Sequence, residues 1–310
     1  SVILSAGGSM AEKHKHKGVK NVYLPLDKKN PYAYVKIRYG ITKIIKNLRP
    51  DIIHVRSRWP AFCLNTIIRK FRIPLITTYH GTYNGNRNFL KKRYNKVMVD
   101  GDRVIAISEH ILEQISIYFP SAIEKTTLIN RGIDTNYFNP KRISIKRKEN
   151  AMLDLNIPEN KHIILLPGRL TSWKGHEIAI DAAKNIKVLM PDLNFAMIFV
   201  GSHQNRENYL GRLKQKIKKD NLDNEVFFTG PKLDMPAIYN LADVVLSTSI
   251  DPEAFGRVSA EASAMCKPII ASDHGGSKYT IINNVTGWLV EPGNAYDLSK
   301  KITEVIQKKQ

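Results

Sequence analysis

The stretch DPEAFGRVSAEASAMCKPIIASDHGGS, Asp251–Ser277, carries two glutamates, Glu253 and Glu261, with seven residues between them. Phe255-Gly256 follows the first. Small residues surround the second, and an apolar run leads on to Gly275-Gly276. A carboxylate among alanines and serines has room to reach a ligand. By accepting two hydroxyl hydrogen bonds it can hold a vicinal diol such as a ribose. A helix beginning near Gly256 would put Glu261 on its second turn and offer its first amides to a phosphate. The plainer reading is that Glu253 caps that helix and Glu261 is a surface acid.

Neighbouring loops favour the chemical reading. GRLTSWKG, Gly168–Gly175, has neither the G-x-G-x-x-G of a dinucleotide fold nor the GK[ST] of a P-loop. It does set Arg169 and Lys174 on either side of a small polar turn ahead of a helix. A diphosphate is held by two such cations and bare amides at a helix start. In GSHQ, Gly201 stands where backbone must approach something closely, or is a plain turn glycine. TGPKLDM, with Gly230, is placed to present main-chain groups to a base.

These loops need elements to position them. SVIL, NVYLPL, DIIHV, PLITTYH, RVIAIS and TLINRGI read as short buried strands, with helical stretches between them such as 34–48 and 89–99. Asn139–Lys161 is polar, charged and strand-poor, and reads as a linker. Alternation then restarts with HIILLPG, FAMIFVG, EVFFTG, DVVLSTS, PIIAS and GWLV. Strands alternating with helices imply parallel sheets covered on both faces. The fold class expected is α/β, two Rossmann-like domains with a cleft between them, spanning 1–143 and 144–310. Ligands in such sheets bind beyond the carboxyl ends of the strands, which is where all four loops fall.

A length of 310 residues suits two domains. Cys63 and Cys266 sit in apolar or small-residue surroundings and read as thiols of a reducing compartment. No apolar run reaches the roughly 18 residues of a membrane span, and the N-terminus has no signal-peptide pattern. Charge is uneven. Residues 1–150 hold 29 Lys and Arg against 10 Asp and Glu, whereas residues 151–310 hold 19 against 18. Such a split reads either as a lysine-rich solvated surface or as one half facing an anionic partner.

Taken together, the sequence resembles the retaining glycosyltransferases of family 4, which have the GT-B fold. The resemblance rests on GRLTSWKG, GSHQ, FFTGPKLDMPAIYNLADVVLSTS, EAFGRVSAE, KPIIASDHGG and TGWLVEPGN, with DIIHVRSR and INRGIDTNYFNP in the first half. It is greatest to bacterial enzymes that extend lipopolysaccharide or related envelope glycans. The implied function is transfer of a hexose-type sugar from a UDP- or GDP-linked donor to a glycan or glycolipid acceptor.

The resemblance also implies roles. Gly168, Arg169 and Lys174 hold the donor diphosphate, Gly201 and Gly230 line the nucleotide, and Glu261 binds the ribose. Glu253 touches the transferred sugar, with amides of Phe255, Gly256, Arg257 and Val258 beside it. His80, after strand PLITT, faces the reacting sugar. His80, Arg169, Lys174 and Glu253 form the expected catalytic set. A metal is expected not to be required, and no other cofactor is implied. Expected partners are the nucleotide sugar, the acceptor and an anionic membrane surface met by the basic first half, but not nucleic acid. Basic runs near Lys28, Lys91 and Lys141–Lys148, with Tyr32, Tyr34 and Tyr39, are the candidates for that surface. The location expected is cytoplasmic, peripheral on the inner face of the membrane. The family's opening strand, glycine loop and helix are expected to be missing, as is its last helix. An epimerase of the same fold and a non-catalytic donor-binding protein are the alternatives.

Overall fold

The computed structural model describes residues 1–8, 18–83 and 88–308. The chain divides into two compact units, Ser1–Asn130 and Arg131–Gln310. The division falls before residue 143 because Phe138 and Ile143, each 8% exposed, bury themselves in the second unit's core.

In the first unit, strands β1 (Val2–Ser5) and β2 (Lys20–Tyr23) pair in parallel. Strands β3 (Ile53–Val55), β4 (Leu75–Tyr79), β5 (Arg103–Ala106) and β6 (Thr126–Leu128) form a second parallel sheet in sequence order. The helix Pro31–Leu48 shows why these residues fold as they do. The Asn30 side chain accepts from the Ala33 amide at 2.7 Å, Pro31 fits the first turn, and Arg49 ends the helix at φ 43°. Ala33, Ile37, Ile41 and Ile45 recur every fourth residue and are buried. SVIL, read as a strand, is one over Val2–Ser5, and Gly7 and Gly8 follow it at φ +84° and +102°.

The second unit holds one six-stranded parallel sheet. Its strands are β7 (His162–Pro167), β8 (Phe195–Val200), β9 (Val226–Gly230), β10 (Val244–Ser247), β11 (Ile269–Ser272) and β12 (Trp288–Val290). Their spatial order is β12-β11-β10-β7-β8-β9. The order reverses between β7 and β10, and an open parallel sheet binds ligands at such a switch point. Alternate residues of each strand face opposite sides. Ile164 and Leu166 pack with the helices His176–Leu189, Glu207–Lys219 and Ala295–Gln307. Ile163 and Leu165 pack on the other face with Ile145–Leu155, Met235–Leu241 and Arg257–Ala264.

The segment expected to be a linker is therefore partly a helix. Ser144 caps Ile145–Leu155, and Ala151 and Leu155, one turn apart, are its buried residues. Arg147 binds Asp234 with two hydrogen bonds, 2.9 and 2.6 Å long, and ties the segment to the second unit. Ile143, Ala151 and Leu155 are the segment's buried apolar positions, too few to lift a polar average.

Candidate functional site

The loops after β7 and β10 lie on either side of the switch point and carry the charged pair of the site. Lys174 Nζ stands 2.6 Å from Glu253 Oε1, with the two side chains 13% and 11% exposed. Ser249 Oγ donates to the same oxygen at 2.6 Å, and Ser247 Oγ lies 3.5 Å away. Burial raises the Glu253 carboxyl, but the Lys174 charge and the hydrogen bonds from Lys174, Ser249 and Ser247 outweigh it. The net shift is below the ordinary carboxylate value. Glu253 is therefore a held, ionised carboxylate rather than the helix cap that the plainer reading made it.

Backbone packing keeps that pair in place. Ile250 N donates to Trp173 O at 2.7 Å, and Thr248 Oγ1 donates to Lys174 O at 3.0 Å. The Lys174 stem lies over Gly168, where a Cβ would sit 3.6 Å from Cδ and Cε. Gly201 approaches the same loop, and a Cβ there would fall 1.8 Å from Gly168 O. Its N–H donates to Gly230 O at 3.0 Å. Gly201 is thus bare because β7 and β8 loops touch, a structural reason. The Gly275-Gly276 turn is bare for a similar cause. A Cβ on Gly276 would meet Phe255 backbone at 2.5 Å, and Gly276 N donates to Glu253 O at 2.6 Å.

Glu261 sits in the helix Arg257–Ala264, which begins after Gly256 at φ +84°. Among the described residues no side chain caps that helix, so the first-turn amides of Arg257 and Val258 are not used by one. Glu261 Oε1 lies 2.8 Å from Arg257 Nη2 and Oε2 accepts from Tyr239 Oη at 2.9 Å. Tyr239 is fully buried. Burial and the Glu261 carboxylate hold its phenol well above its usual value, so it stays a donor. Sequence reading missed Tyr239, which lies on the helix Met235–Leu241, 22 residues earlier.

The remaining expected residues are less concentrated. Arg169 is exposed, and its side chain lies 3.5 Å from Gln204 Oε1. Phe255 is half-buried beside the Gly276 turn. His80 belongs to the first unit, directly after β4, and is half-buried.

An Asp-x-Asp does occur, at Asp100-Gly101-Asp102, and both carboxylates hold first-unit structure. Asp102 Oδ2 accepts from Leu75 N at 2.7 Å, and Asp100 is 3.4 Å from Asn65 Nδ2. Among the described residues no group of three or more His, Cys, Asp or Glu is placed to hold a metal. No helix of the described residues is long and apolar enough to cross a membrane.

The arrangement offers a lysine, a buried carboxylate, an uncapped helix start and a second carboxylate around one strand switch. Residues 147–310 match the family model described as glycosyl transferases group 1, and residues 1–137 match that of glycosyltransferase family 4. The solved structure of a glycosyltransferase from Rickettsia africae ESF-5 is 33% identical, with a TM-score of 0.84, covering 99% of this chain and 79% of that one. An uncharacterized glycosyltransferase of Methanocaldococcus jannaschii is 28% identical over 96% of this chain and 78% of that protein. The fold is shared with Anabaena Alr3699/HepE, solved with UDP and glucose. That protein is 23% identical, has a TM-score of 0.84, and covers 100% of this chain and 83% of its own.

Proposed function

From the premise that this chain belongs to the group 1 glycosyl transferases, with the GT-B architecture of two Rossmann-like domains, we propose a specific reaction. The protein moves a hexose-type sugar from a UDP- or GDP-linked donor to a glycan or glycolipid acceptor. Anomeric configuration is retained, and the product belongs to lipopolysaccharide or another envelope glycan. The observation that carries this reading is the Lys174–Glu253 pair beside the uncapped helix that bears Glu261.

Lys174 has three N–H donors and gives one to Glu253. The others remain for a donor diphosphate, joined by Arg169 and the amides of Phe255 to Val258. These groups stabilise charge as it develops on the departing phosphate, which is where catalytic electrostatics act. The departing phosphate accepts the proton of the incoming hydroxyl on the same face of the sugar. Glu253, ionised and pinned, accepts hydroxyl hydrogen bonds from the transferred sugar, and Glu261 does the same for ribose. The two carboxylates thus bind hydroxyls and do not form a hydrolytic pair, whose members would stand about 5 Å apart across the bond cleaved. No metal takes part, and His80 faces the reacting sugar.

The first unit docks on an anionic membrane at its cytoplasmic face. Tyr32, Val35 and Tyr39, 65–75% exposed, line one side of the helix Pro31–Leu48 opposite its buried stripe. Lys36 and Lys43 share that side and are exposed. A basic aromatic stripe of this kind suits an interfacial helix. Tyr34 is not part of it, since its ring packs 6.1 Å from Trp59 and 6.0 Å from Phe62.

The experiment is a thermal-shift screen of UDP-glucose, UDP-galactose, GDP-mannose and their free nucleotides. The best donor is then followed by NMR with a lipid-linked glycan acceptor. Stabilisation by one nucleotide series and an axial product from an axial donor support the proposal. An inverted product overturns retention, and no stabilisation by any nucleotide overturns the donor site.

A further inference from the structure

Arg257 is the first residue of the helix that carries Glu261, and only its backbone amide has a role in the proposed transfer. The position runs against helix electrostatics. The N-terminus of a helix is the positive end of its dipole, where anions are favoured and cations disfavoured. No acidic residue stands in the first turn to offset the arginine. The ion pair that it makes is also in the weaker order. Nη2 lies 2.8 Å from Glu261 Oε1, four residues on, and a cation N-terminal to its carboxylate is the less favourable arrangement. Side chains lean toward the N-terminus of a helix. This guanidinium therefore reaches back against its natural course, which leads past Gly256 to the open first-turn amides.

The two halves of the pair differ in freedom. The Glu261 side chain is 12% exposed, and Tyr239 Oη fixes its second oxygen at 2.9 Å. The Arg257 side chain is 59% exposed, and Glu261 is the one acid that it pairs with among the described residues. The carboxylate is thus the fixed half and the guanidinium the movable one. Tyr239 is fully buried, so the side of the carboxylate facing Arg257 is the open approach to it. A ribose diol donates two hydrogen bonds, and the guanidinium covers the approach that it would use.

Resting on the ribose reading of Glu261, we infer that Arg257 determines specificity by making ribose recognition depend on phosphate. Without a ligand its guanidinium lies on Glu261. When a nucleoside diphosphate enters, the guanidinium turns past the helix start to the phosphates, where its fork binds an oxyanion. Glu261 Oε1 is then free for the ribose hydroxyls. A nucleoside has no phosphate to offer. It must displace the guanidinium from Glu261 with nothing given in exchange, and so binds poorly. The donor is thereby selected over its dephosphorylated fragments.

NMR titration of the full chain with uridine, UDP, guanosine and GDP tests it, with Arg257→Gln and Glu261→Gln beside the natural protein. Arg257→Gln changes an exposed side chain and should leave the unfolding temperature unaltered. It should weaken the nucleoside diphosphate that the chain binds by about tenfold, as a charge-assisted contact is lost. It should tighten the matching nucleoside several-fold, because Glu261 is open from the start. Effects of opposite sign are what mere damage to the helix start cannot produce. Glu261→Gln tests the ribose reading separately and should weaken nucleoside and nucleoside diphosphate alike. If it alters neither, that reading fails and this inference with it. If it weakens the diphosphate, the reading stands, and any result for Arg257→Gln other than the opposed pair overturns the role of Arg257. Equal losses, no change, and absence of nucleoside binding to both proteins all count as such a result.

Discussion

Replacing Lys174 by Met removes the partner of a buried carboxylate while keeping most of the aliphatic stem. Glu253 would keep Ser249 and Ser247 but lose the one cation paired with it among the described residues. Taking one partner from a buried ion pair costs about 3–5 kcal/mol, and both side chains here retain roughly a tenth of their exposure, so about 3 kcal/mol is expected at pH 7. The pH dependence follows from sign. In the natural chain the Glu253 carboxyl lies below its ordinary 4.5, so its stabilisation is present above pH 4.5 and lost as pH falls through the lowered value. Without Lys174, burial dominates and lifts the carboxyl above 4.5. The penalty is then full above that raised value and relieved as pH falls. The gap between the two proteins should therefore shrink steadily from pH 7 to about pH 4. Guanidinium unfolding read by tryptophan fluorescence measures it, because Trp173 and Trp288 lie in the second unit and only Trp59 in the first. Lys174→Met combined with Glu253→Gln should recover most of the loss. A cost under about 1 kcal/mol, the scale of an exposed pair, with no pH trend, would refute the reasoning.

Tyr239→Phe should leave stability nearly unchanged and weaken nucleotide binding by about 1.5 kcal/mol, or tenfold, the value of a hydrogen bond to a charged group. Calorimetry with the free nucleotide reads it, and an unaltered affinity would remove Tyr239 from the site. Gly201→Ala should destabilise the second unit by about 3 kcal/mol, the upper part of the overpacking range, because its Cβ meets Gly168 O; thermal unfolding checks this. Co-sedimentation with anionic vesicles should be strong at low salt and fall steeply as salt rises, each basic residue contributing about 1 kcal/mol within a Debye length. Tyr32→Ser with Tyr39→Ser should weaken it, and equal binding to neutral vesicles would contradict the docking face.

Much of the architecture is legible in the sequence because parallel strands are apolar on both faces and stand out as short runs. β7 to β12 each fall inside a run read that way. Glu253, Lys174 and Glu261 are legible for a different reason. They sit in loops and a helix start directly after strands, where backbone is bare and polar residues have no core to join. Tyr239 escaped because its hydroxyl joins Glu261 across two helices, and nothing near it in sequence marks a partner. The helix Ile145–Leu155 escaped because two buried residues among eleven leave a polar average. Gly201 reads as a place of close backbone approach, and the Gly168 carbonyl is what approaches it. A single sequence cannot tell which of two things a bare backbone meets. The Asp100-Gly101-Asp102 motif shows the reverse case, a metal-like spacing whose Asp102 holds the start of β4 and whose Asp100 faces Asn65 and Lys96.

The most direct test of the central claim is calorimetric binding of free UDP and GDP to Glu261→Gln and Glu253→Gln, set beside transfer rates with the corresponding sugar nucleotide. The account predicts that Glu261→Gln weakens free nucleotide and donor alike, by about tenfold. Glu253→Gln should spare free nucleotide and mainly slow transfer, the pattern of an interaction made with the reacting sugar. The opposite split would mean that the two carboxylates have exchanged roles. Nucleotide binding that neither change alters would contradict the claim that this strand switch holds the donor.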